Sequence, residues 1–105
     1  MAFTALFMAH APDADYERHH HVIDTGRYRL FSYIVKSQDE ALQVARDIYQ
    51  KETIDAILLC PGFTHGDVAE LFEALDSKVS VSVARGDGPS NRIVQPVIQR
   101  EYYDR

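Results

Sequence analysis

Two uninterrupted apolar runs of strand length, FTALFMA (3–9) and IDAILLC (54–60), set the tightest limit on what this chain can fold into. A strand without polar alternation offers no face to water, so each run belongs inside a sheet covered on both sides, where parallel strands are found. YRLFSYIVK (28–36) is rich in aromatic and β-branched residues and predicts another strand. KVSVSVA (78–84) alternates valine with serine, as a strand nearer an edge would.

The segments between these runs carry helix signals. Ser37 and Glu40 form a capping box, and Leu42, Ala45, Ile48 and Tyr49 fall on one helical face that should end near Glu52. Thr64 and Asp67 repeat the signature ahead of Val68, Leu71, Phe72 and Leu75. Between the first two strands, Tyr16, His20 and Ile23 have helical spacing and Thr25-Gly26 reads as a helix end, which predicts a short helix there. The order β-(α)-β-α-β-α-β implies a small doubly wound α/β domain, Rossmann-like or flavodoxin-like. It has a mainly parallel four-stranded sheet and helices on both faces, a three-layer sandwich.

That domain spans 1–91. The tail, RIVQPVIQREYYDR (92–105), is apolar but contains Pro96, which should break a regular helix or a central strand. It is expected to pack on its own subunit or on a neighbour, since exchanging a terminal segment is a low-cost route to a dimer.

Composition narrows the function classes. Eleven basic and sixteen acidic side chains give a net charge of −5, which argues against nucleic acid or an anionic membrane as partner. A single cysteine cannot form an internal disulfide, and MAFTALFMAH lacks the basic start of a signal peptide. A cytoplasmic location is the expectation.

Ligands of open parallel sheets bind outside the carboxyl ends of the strands. That rule selects three loops: HAPDAD after the first strand, CPGFTHGD after the third and RGDGPSNR after the fourth. In CPGFTHGD, Gly62 and Gly66 permit close backbone approach. Thr64 opens a helix whose free N–H groups attract negative charge, and Arg85 would supply a counter-charge. The pattern is neither a dinucleotide fingerprint nor a phosphate-binding Walker loop, and an ordinary turn with a capping threonine explains the same letters. Cys60 is a candidate nucleophile with His65 or His10 as base, although a cysteine ending an apolar strand is commonly a packing residue. A metal site would need His10, Cys60, His65 and a carboxylate such as Asp13, and their spacing is not diagnostic. The histidines of HHH (19–21) would point about 100° apart on a helix and could not share one ion.

The segments FTALFMAHAPDAD, VIDTGRYRLFSYIV, EALQVARDIYQKE, IDAILLCPGFTHGDVAEL and VSVSVAR together resemble a small family of single-domain bacterial and archaeal proteins of unknown function. The resemblance covers roughly residues 1 to 85 and implies a compact α/β three-layer sandwich; the tail after Arg85 departs from it. It implies no activity and no cofactor. Two functions therefore stand side by side. One is a binder of a small anionic or carbonyl-bearing ligand at the C-terminal edge of the sheet. The other is a non-catalytic homo-oligomer, structural or regulatory, assembled through its tail.

Overall fold

The protein is described over residues 2–104 by a computed structural model. Four strands run parallel: β1 (Phe3–His10), β3 (Tyr28–Val35), β4 (Ala56–Leu59) and β5 (Ser80–Val83). A fifth, β2 (His20–Asp24), adds antiparallel to β3, giving a mixed α/β sheet in the order β2-β3-β1-β4-β5.

β2 corrects the expected helix between the first two strands, and it raises the strand number from four to five. Two signals explain the difference. Gly26 has φ +96°, and a glycine in that region serves a hairpin turn as well as a helix end. Its N–H is held by the Asp24 carboxylate at 2.7 Å, while the Thr25 N–H donates to the Tyr28 carbonyl at 3.0 Å. The strand itself is an exposed edge with no apolar alternation to announce it. Its His20 ring stacks on Tyr33, centroids 4.8 Å apart. His20 and His21 therefore lie in a strand, with His19 just before it, and the three do not follow a helical repeat.

α1 (Gln38–Lys51) starts at the Ser37 cap, whose hydroxyl accepts from the Glu40 N–H at 3.2 Å. The Glu40 carboxylate reaches one residue beyond the cap, to the Lys36 N–H at 2.8 Å. α2 (His65–Ala74) has the full reciprocal box: the Asp67 N–H donates to Thr64 Oγ1 at 3.0 Å, and the Thr64 N–H to the Asp67 carboxylate at 2.9 Å.

Both helices cover the same face of the sheet. Leu6, Met8, Phe31, Val35, Ile57 and Leu59 point to that face and form one buried cluster with residues of α1 and α2. The Gln38 side-chain amide joins the helices, donating to the Asp67 carbonyl at 3.1 Å and to the Glu70 carboxylate at 2.9 Å. Helices on both faces were expected, yet among the described residues α1 and α2 lie on one side. The crossover from β1 to β3, which would have carried a helix to the other side, carries the edge strand β2 instead.

The opposite face presents Phe3 stacked on Tyr28, Phe7, Leu30 and Leu58. Leu58 is 45% exposed, whereas its neighbour Leu59 is fully buried. One strand thus has a dry side and a wet side, although its sequence is apolar throughout.

α3 (Gly88–Ile98) runs straight through Pro96 and ends in a π-helical turn, Gln99–Tyr103. The expected break at Pro96 does not occur. Proline deprives the carbonyl four residues earlier of its partner, a loss that water offsets on a helix with no buried residue. The Gln99 N–H is shared between the Gln95 and Pro96 carbonyls, and the Asp104 N–H then donates to the Gln99 carbonyl five residues back at 2.9 Å, the bond that widens the π turn. No helix among the described residues is long and apolar enough to cross a membrane.

Candidate functional site

The carboxyl ends of β1 and β4 lie side by side, and their connections leave in opposite directions. The one after β1 crosses the end of β3, where the Ala11 N–H donates to the Val35 carbonyl at 3.0 Å, and it continues to β2 at the edge. The one after β4 enters α2. Such a divergence opens a crevice at the sheet edge. His10 ends β1 and Cys60 follows β4.

The two are in contact: the His10 backbone N–H points to Cys60 Sγ at 3.4 Å. The His10 ring stacks on the fully buried Phe63, with centroids 4.0 Å apart and planes 19° apart. Gly62 fits closely between them. A Cβ there would stand 3.2 Å from His10 Nδ1 and 3.6 Å from Cys60 Sγ, so a methyl group would press on the imidazole.

His10 is electrostatically unusual. Burial lowers its pKa below the ordinary histidine value, against a weaker upward pull from the Asp67 carboxylate. The ring is therefore neutral at neutral pH. Its Nε2 is closed to solvent and has no hydrogen-bond partner among the described residues. A buried polar group left unpaired costs about 1–3 kcal/mol, so this nitrogen marks a place where the fold is incompletely satisfied.

The tail passes over the same spot. The Tyr102 hydroxyl donates to the His10 carbonyl at 2.8 Å across 92 residues of sequence. A shallow cleft of about 190 Å³ is lined by His10, Ala11, Pro12, Lys36, Tyr102 and Tyr103. A second cleft of about 370 Å³ involves Pro12, Asp13, Glu101 and Tyr102.

The residues anticipated from sequence divide into those that meet and those that do not. His10, Cys60 and Gly62 converge. Arg85 is turned to the loop itself, donating to the Phe63 carbonyl at 2.9 Å, and braces the turn. Thr64 is occupied as a cap by Asp67, whose carboxylate sits at the N-terminus of α2 where an anion would go. His65 and Gly66 lie exposed in the first turn of α2, and a Cβ on Gly66 would make only an ordinary contact, 3.7 Å from Thr64 Oγ1. Among the described residues, no three or more His, Cys, Asp or Glu side chains stand close enough to hold a metal ion.

Phe63, Lys36, Tyr102 and Tyr103 were not foreseen. Phe63 was hidden in a motif whose polar letters drew attention. Lys36 sits where a strand passes straight into a helix cap, too short a connection to read as a loop. Only the paired tyrosines of the tail offered a sequence signal.

A sequence profile described as a family of unknown function (DUF6506) matches residues 3–99, and the chain belongs to that family. The match extends past Arg85 through α3, so the helical part of the tail is a family feature. No curated protein and no solved structure matches the chain.

Proposed function

We propose that this protein binds a small anionic, carbonyl- or hydroxyl-bearing molecule in the crevice between the ends of β1 and β4. The observation that carries this reading is the buried, partnerless Nε2 of His10. A neutral imidazole nitrogen either accepts from a hydroxyl or, in the other tautomer, donates to a carbonyl. Lys36, just after β3, shares with His10 the cleft under the tail and meets the negative charge from that side. Cys60 and Gly62 stand against His10, and Thr64 and Arg85 keep the loop in shape.

The parallel strands run in the order β3-β1-β4-β5, and in open parallel sheets a ligand sits at the point where the strand order reverses. That point is His10 and Cys60. Entry requires local opening, and the tail is the least packed element beside the histidine, since neither α3 nor the π turn contributes a buried residue.

The test is thermal denaturation of untagged protein against small 2-oxo acids, 2-hydroxy acids and inorganic phosphate. At least one class should raise the melting temperature, and His10→Ala and Lys36→Ala should each abolish the rise. A rise that persists in both variants, or none for any compound, would overturn the proposal.

A further inference from the structure

We infer that the uncovered face of the sheet and the apolar stripe of α3 are two halves of one interface, occupied by a second copy of this chain. In that assembly, α3 of each copy packs on the sheet of the other.

Three observations lead there. The first is area. A monomer of 12.0 kDa should expose about 6000 Å², yet this chain exposes 7009 Å². The excess of about 1000 Å² is close to the roughly 800 Å² per partner removed by a stable protein–protein interface. The radius of gyration agrees: it is 14.3 Å, against about 13 Å for a compact domain of this length.

The second is complementarity. Ile93, Val94 and Val97 follow helical spacing along α3 and are all exposed, Ile93 by 74%. The sheet face holding Phe7 and Leu58 lacks its helical layer. A helix without a sheet and a sheet without a helix on the same chain fit each other.

The third is tethering. Four residues separate the end of β5 from the start of α3, and the π turn behind it is tied to the end of β1 by Tyr102. Both anchors lie on the carboxyl edge of the parallel strands, which holds α3 off its own sheet face. The helix that covers that face comes from another molecule. Reciprocal exchange closes the pair with two-fold symmetry and leaves neither apolar surface over.

Sedimentation equilibrium on the full chain tests this with two variants, Leu58→Lys on the sheet and Ile93→Lys on α3. Both side chains are exposed in the single chain, so both variants should fold, with wild-type circular dichroism. Wild type should have twice the mass of the 12.0 kDa chain, and each variant should fall to the single-chain mass. A wild type that stays at the single-chain mass at the highest soluble concentration would overturn the inference. So would a dimer that survives either substitution.

Discussion

The two faces of the sheet carry similar residues and meet opposite fates. On the helix side, Leu6, Met8, Ile57 and Leu59 are sealed under α1 and α2. On the other side Phe3, Tyr28 and Leu58 remain exposed. Hydrophobicity alone therefore does not say what is buried within one chain. The connection topology does, because only the crossovers from β3 to β4 and from β4 to β5 bring helices, and both bring them to the same face.

Breaking the comparison is simplest within one strand. Leu59→Ala should cost about 2–5 kcal/mol, the usual penalty for emptying a packed core site. Leu58→Ala, measured at a concentration where the chain is dilute, should cost less than about 1 kcal/mol. Urea denaturation of the pair reads both. Equal losses would mean that the open face is covered within the chain.

A smaller effect separates the helix starts from the tail. Thr64→Ala removes the oxygen that accepts from the Asp67 N–H and should cost about 1 kcal/mol. Ser90→Ala in α3 should cost less, because the side chain of the cap residue, Asp87, makes no capping bond and the Ser90 hydroxyl donates only an exposed bond to the Asp87 carbonyl at 3.2 Å. Thermal melts distinguish the two.

The pH dependence sharpens the account of the site. His10 has its folded pKa below the unfolded value of 6.5, so the unfolded chain binds more protons in that range. Stability is then complete above pH 6.5 and declines as the pH falls through the folded pKa. His10→Gln, which cannot take up the proton, should flatten this part of the profile, read as melting temperature against pH. A slope unchanged in the variant would remove the burial argument for His10.

The smallest expected change is at the end of α2. Asp76 and Ser77 have φ of 58° and 56°, the left-handed region that a side chain makes unfavourable. Ser77→Gly should be neutral or stabilising by up to about 1 kcal/mol, with the same fold.

Much of this architecture is legible in the sequence, for identifiable reasons. β1 and β4 announce themselves as apolar runs, β3 by its aromatic and β-branched residues, and β5 and the two long helices by their periods, and Thr64 and Asp67 form their capping box as local chemistry predicts. β2 is illegible because an exposed edge strand has no such period, and the positive φ of Gly26 suits a hairpin and a helix end equally. α3 is obscured by Pro96, whose lost hydrogen bond costs less where the freed carbonyl can reach water. The site is half legible. His10 and Cys60 stand out as residue types at strand ends, but their contact depends on β1 and β4 being neighbours. The stack of His10 on Phe63 and the reach of Tyr102 back to His10 are tertiary facts that no local pattern carries.

The most direct test of the account compares thiol labelling at positions 58 and 59, with Leu58→Cys and Leu59→Cys introduced separately into a Cys60→Ser background. The thiol at 59 should resist labelling at every protein concentration. The thiol at 58 should react quickly in dilute solution and become protected as the protein is concentrated. Protection of position 58 at all dilutions, or rapid reaction of both, would contradict a sheet closed on one face by its own helices and on the other by a second chain.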